Sequence, residues 1–127
     1  MIHQTDKNSI IFHNFIGGRQ VEPTNGAYSR NINPANGEVI GEFADSGTDD
    51  TNSAISHAHE AQKAWAGMST VARAAFVAKA AQILRERIDT IARDLTREEG
   101  KTIGEARGET LNGIAKLEFA CSEALRI

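Results

Sequence analysis

With 127 residues, a net charge of −3 and a hydrophobic fraction of 40%, the chain has the size and composition of one ordinary folded core. Disordered and collagen-like classes are excluded, and so is a nucleic-acid footprint: residues 1–53 carry three Lys/Arg against seven Asp/Glu, residues 54–127 carry eleven against ten, and no basic stripe emerges. No secretory pattern or membrane-length apolar run is visible and Cys121 stands alone, so a soluble, cytoplasmic protein with no membrane partner is expected.

Residues 1–10 are polar and patternless, and read as a flexible N-terminal arm. Ile10-Ile11-Phe12 and Phe15-Ile16 are rich in β-formers, and Gly17-Gly18 supplies the two positive-φ positions of a tight hairpin turn before Arg19-Gln20-Val21. A second hairpin is expected from residues 28–32 and 38–44, joined through Asn33-Pro34-Ala35-Asn36-Gly37, where Pro34 biases Asn33 away from helix.

From Thr48 the period becomes helical. Thr48 is the expected N-cap, Asp49 and Asp50 suit the positive end of the helix dipole, and Ala54, Ala58, Ala61 and Trp65 fall on one apolar face. Ser69 is expected to cap a second helix with Val71, Ala75, Phe76, Ala80, Ile83 and Leu84 inside. A third helix over about 89–99 buries Ile91, Ala92 and Leu95 and stops at Gly100. A fourth runs from about Gly104 to Arg126 with Leu111, Ile114, Leu117, Cys121 and Leu125 on one side.

The residues that invite a chemical reading mostly lack the spacing for it. Gly100-Lys101-Thr102 ends like a phosphate-binding loop, yet the glycine such a loop needs five residues earlier is Leu95, and a helix precedes it. His57 and His59 are two apart and point roughly 200° from each other on a helix, so a solvated face is expected instead of a metal pair. Cys121 lies on an apolar stripe with no His near it in sequence, the setting of a small buried thiol. Glu98 and Glu99 splay about 100° apart, which disfavours a paired-carboxylate mechanism. Gly108 inside a helix marks either a close approach by a backbone or ligand, or a plain weakness.

Taken in order, Phe15-Ile16-Gly17-Gly18-Arg19-Gln20-Val21, the stretch Asn31-Ile32-Asn33-Pro34-Ala35-Asn36-Gly37-Glu38-Val39-Ile40, then Trp65, Leu84-Arg85-Glu86-Arg87 and Glu99-Gly100-Lys101-Thr102 resemble the opening of an aldehyde dehydrogenase. The likeness runs from about Phe12 onward and is closest to semialdehyde and betaine-aldehyde members. It implies an α/β fold for the complete protein, of which residues 11–127 are the N-terminal part of the cofactor-binding domain: two short β-hairpins followed by about four α-helices. It implies oxidation of a small aldehyde or semialdehyde to the carboxylate with NAD or NADP, through a cysteine thiohemiacetal and a glutamate-activated water, in a homo-oligomer. No residue of this chain matches the family's nucleophile, general base or main dinucleotide contacts, so no catalytic and no cofactor-binding residue is assigned and the chain alone is expected to be inactive. Two sets do carry over. The backbone carbonyls of Asn31 and Ile32 with the side chain of Glu98 match a monovalent-cation site, where the family more often has Asp for Glu98. Gly108 and Asn112 match the helix that lines the aldehyde tunnel, Asn112 standing where semialdehyde members often carry Arg. The alternatives are a truncated, non-catalytic helical interaction module and an unrelated small helical binding protein.

Overall fold

The computed structural model describes residues 10–124 and 126, so the expected arm, apart from Ile10, and Leu125 lie outside the described residues. The element order is β1 (Ile11–Phe12), β2 (Asn14–Ile16), β3 (Arg19–Val21), β4 (Tyr28–Ile32), β5 (Val39–Ala44), α1 (Thr48–Ala66), α2 (Thr70–Glu86), α3 (Ile88–Glu99) and α4 (Ile103–Ala124). The chain divides between Gln62 and Lys63 into two compact units, the first made of strands and most of α1, the second of helices.

In the first unit both expected hairpins form. β2 and β3 pair antiparallel, with Gly17 at φ 61° and Gly18 at φ 79° turning the chain where a side chain would be strained. β4 and β5 pair antiparallel through the Asn33 turn: the Asn33 side chain accepts from the Ala35 N–H, and its carbonyl accepts from the Gly37 N–H at 2.8 Å. The pairing of a third strand was not expected. β1 leaves the first hairpin and runs parallel to β5, giving the order β1-β5-β4, with the Ile10 carbonyl accepting from the Glu42 N–H. Two residues carry no periodicity that could name so distant a partner. Phe12 stacks on Phe43 at 4.4 Å, and Gly41 is buried because a Cβ there would lie 2.7 Å from the Phe12 ring.

The start of α1 departs from expectation. Thr48 is the first helical residue, and the cap is Gly47, whose carbonyl accepts from the Thr51 N–H. Asp50 provides the side chain that caps: it accepts from the Gly47 N–H at 3.1 Å and also from the Thr24 N–H at 2.9 Å and the Thr24 hydroxyl at 2.6 Å. Only 4% exposed, Asp50 thereby ties the turn at residues 23–26 to the helix. Ala58 and Ala61, expected on a covered face, are exposed.

In the second unit α4 packs against both α2 and α3. Ser69 caps α2 as expected, accepting from the Ala72 N–H at 3.2 Å. The expected inner stripe of α2 is wrong in part. Val71 and Phe76 are 64% and 61% exposed, Ala75 and Ala80 are exposed too, and the buried face is Ala74 and Ala81 with Val77 half-covered. Helix α2 is apolar on two sides, and periodicity cannot choose between them; packing takes the alanine side, where helices approach most closely. In α3, Ile88 and Ala92 are buried and Ile91 and Leu95 half-buried. Gly100, at φ 75°, ends it with its N–H on the Thr96 carbonyl. Ala106 and Ile114 of α4 complete the core at 0% and 1% exposure.

Candidate functional site

Helix α4 has two apolar faces. The inner one holds Ala106 and Ile114, with Leu117 and Cys121 half-buried; Leu111, expected there, is 40% exposed. The outer one carries Gly108, Leu111, Asn112, Ala115 and Phe119, all exposed, with Phe119 at 66%. At 100° per residue Gly108 and Asn112 lie 40° apart, so they stand one turn above the other on this open face. Nothing among the described residues comes within 4 Å of a Cβ built at Gly108. Of the two readings the sequence left open, close approach by this chain's own described residues is therefore ruled out. A helix apolar on both sides is the pattern of one covered on both sides in a larger protein.

The beginning of α4 is fastened by polar groups. Thr102 and Glu105 form a capping box: the Thr102 hydroxyl accepts from the Glu105 N–H, and the Glu105 carboxylate accepts from the Thr102 N–H at 3.0 Å and hydroxyl at 2.8 Å. The Thr102 hydroxyl and N–H together hold the Glu105 carboxyl below its ordinary range. Lys101, between the two helices, places Nζ 2.5 Å from Glu109 on α4 and 2.5 Å from Glu99 on α3. Its side chain is 18% exposed, and the Glu109 carboxylate, then that of Glu99, raises its pKa. With Gly100 serving as a helix stop and Lys101 engaged by two carboxylates, Gly100-Lys101-Thr102 presents no phosphate cradle. The signal for the capping box, Thr102-x-x-Glu105, stands in the sequence and was overlooked. The Lys101 bridge could not be read there, since it depends on the angle between α3 and α4.

The expected cation ligands fall on separate units. Asn31 and Ile32 end β4 where the ladder is irregular: Asn31 faces Gly41 and Ile32 faces Val39, leaving Ile40 as the extra residue on β5. Such a step takes backbone groups out of the regular ladder. Glu98 is exposed near the end of α3. Among the described residues no group of three or more His, Cys, Asp or Glu is arranged to hold a metal. His57 and His59 are both exposed, and the His57 ring lies over Gly17, where a Cβ would sit 2.7 Å from its Cδ2.

Cys121 lies on the inner face of α4 as the sequence suggested, but it is half-buried and not fully buried. Its Sγ donates to the Ala74 carbonyl at 3.5 Å across the α2–α4 contact, beside a groove of about 300 Å³ that Arg73 and Val77 also line. Among the described residues, no carboxylate or imidazole lines that groove to serve as a base.

A model of the aldehyde dehydrogenase family matches residues 21–127. Among curated proteins, the chain is similar to an α-ketoglutaric semialdehyde dehydrogenase of Bacillus subtilis, 36% identical over 123 residues, which are 96% of this chain and 25% of that protein. Among solved structures it is similar to lactaldehyde dehydrogenase from Escherichia coli (TM-score 0.90, 26% identity, 94% of this chain and 25% of that one). It is also similar to an NAD-dependent benzaldehyde dehydrogenase from Corynebacterium glutamicum (TM-score 0.84, 31% identity, 89% and 25%). The chain thus spans about a quarter of the length of these relatives. No helix among the described residues is long and apolar enough to cross a membrane.

Proposed function

Because this chain belongs to the aldehyde dehydrogenase family, we propose that it is the N-terminal segment of an NAD- or NADP-dependent enzyme that oxidises an aldehyde or semialdehyde to its carboxylate in a homo-oligomer. Its own part is structural and selective. α4 lends Gly108 and Asn112 to the wall of the substrate passage, and the observation that carries this is the open outer face on which both stand. When bound, the nicotinamide cofactor supplies the hydride acceptor. The nucleophile and base come from elsewhere in this reading, which the contact of the Cys121 thiol with the Ala74 carbonyl supports, no base among the described residues being paired with it. A glycine beside an uncharged amide leaves room and offers hydrogen bonds without fixed charge, which favours a modest-sized polar aldehyde.

In the complete enzyme, Gly108→Leu should raise KM or lower kcat/KM for large aldehydes more than for small ones, and Asn112→Arg should favour carboxylate-bearing semialdehydes. A common factor across all substrates would show that both positions act through folding and would overturn the assignment. The 127-residue chain alone should form no NAD(P)H with any aldehyde; turnover abolished by Cys121→Ser would defeat that reading.

A monovalent-cation role for the Asn31 and Ile32 carbonyls and the Glu98 carboxylate belongs to the same proposal. The irregular ladder step at Asn31 and Ile32 supports it. Ion binding to the folded state raises stability by mass action, so Glu98→Gln in the complete enzyme should weaken potassium-dependent stabilisation. An unchanged melting response across a potassium titration would retire the role.

A further inference from the structure

We propose that Lys101 is a positioning residue that fastens the first two turns of α4, and with them the Gly108 edge of the substrate passage, to the end of α3. The passage itself rests on the functional reading above; the fastening does not.

The need for a fastening lies in the composition of α4. Gly104 and Gly108 fall within its first six residues, and helical glycine gives up more backbone freedom than any other residue. Nothing within 4 Å would meet a Cβ at either position, so no described packing contact explains or compensates the glycines. The C-terminal half of the helix is held by apolar contacts at Ile114, Leu117 and Cys121, whereas between Gly104 and Thr110 only Ala106 is buried. What grips this weak stretch is polar. The Thr102–Glu105 box closes the first turn, Arg107 pairs with Asp89 at the start of α3, and Lys101 reaches Glu109, the residue next to Gly108, while also holding Glu99 in the last turn of α3. The Lys101 side chain is 18% exposed and its partners Glu99 and Glu109 are 48% and 59% exposed, so the expected effect is that of a partly screened surface pair. Removing its charge would free Glu109 and let the Gly108 turn open while leaving the Ile114 half of the helix in place.

Amide hydrogen exchange on the full polypeptide tests the fastening. Lys101→Met, and independently Glu109→Gln, should speed exchange at residues 104–111 by about three- to fivefold, with little change at 114–121. Lys101→Arg, which keeps the charge, should stay close to the unsubstituted protein. Gly108→Ala in the Lys101→Met background should slow exchange again, because alanine repairs the helix the clasp supports. Unchanged exchange in both charge-removing variants, equal loss in Lys101→Arg, or failure of Gly108→Ala to slow it would overturn the proposal. In the complete enzyme, Lys101→Met should raise KM for bulky relative to small aldehydes with a smaller change in kcat. If exchange responds as expected and all aldehydes shift alike, the passage reading falls while the fastening stands.

Discussion

The two compact units are held by different physics. In the first, order comes from backbone geometry and one buried carboxylate: two ladders, turns at Gly17, Gly18 and Gly37, and Asp50 bound to Thr24 and Gly47. In the second, order comes from side-chain contact, with Ala74, Ala81, Ala92, Ala106 and Ile114 closing the spaces between helices. Turn and cap chemistry requires particular residues at particular places, while helix packing asks only for something apolar of the right size. The first kind of specification is unforgiving at single polar positions and the second at single buried volumes.

The largest expected effect follows from the second kind. Among the described residues Ile114 is the largest fully buried side chain, so Ile114→Ala should cost about 2–5 kcal/mol in transfer and cavity terms. Phe119→Ala, a larger truncation five residues along the same helix but 66% exposed, should cost this chain within about 0.5 kcal/mol. Denaturant unfolding compares them directly. Equal losses would mean that α4 has been assigned the wrong inner face.

Asp50 gives the next effect, and it depends on pH. The Thr24 hydroxyl, the Thr24 N–H and the Gly47 N–H lower its pKa against the opposing effect of burial. A carboxyl whose folded pKa lies below its unfolded value of about 3.9 stabilises the fold above that value and loses this contribution as the pH falls through the folded pKa. Asp50→Asn should therefore melt several degrees lower at neutral pH, with the gap closing in acid. A gap that stays constant from neutral pH to about pH 3 would show that the carboxylate charge is not what fastens the turn to α1.

What the sequence disclosed follows the same division. Both hairpins, the Ser69 cap and the Gly100 stop were legible because each rests on one residue type with one conformational reason. The inner face of α2 was not, because Val71, Ala75 and Phe76 make as good a stripe as Ala74, Val77 and Ala81. The sequence carries no record of which stripe its neighbour takes. Ile11–Phe12 reads as β-forming, but its pairing was missed since its partner lies about thirty residues away. Of the candidate site, Gly108 and Asn112 could be placed on one face by spacing alone. The Lys101 bridge became visible only with the helices in place. Asp50 was read as a dipole residue, which is correct and incomplete: no local rule foretold Thr24 as its partner, 26 residues away.

The smallest expected effects reverse sign between two kinds of glycine, and so test the comparison most finely. Gly17 sits at φ 61°, where an L side chain is strained, and a Cβ there would also meet His57 at 2.7 Å. Gly37 shares the strain at φ 75° but faces open space. Gly17→Ala should therefore cost about 1–2 kcal/mol and Gly37→Ala less, the difference shrinking when His57 is also replaced by Ala. Gly113 lies in the helical interior of α4, and a Cβ there would meet no neighbouring group among the described residues within 4 Å, so Ala removes unfolded-state freedom without strain. It should stabilise by about 0.5–1 kcal/mol. Equilibrium unfolding of the three single variants and the Gly17/His57 double variant settles the order. A stabilising Gly17→Ala would remove the claim that the first unit is specified by its turns, and a destabilising Gly113→Ala would mean that a partner surface already presses on that part of α4.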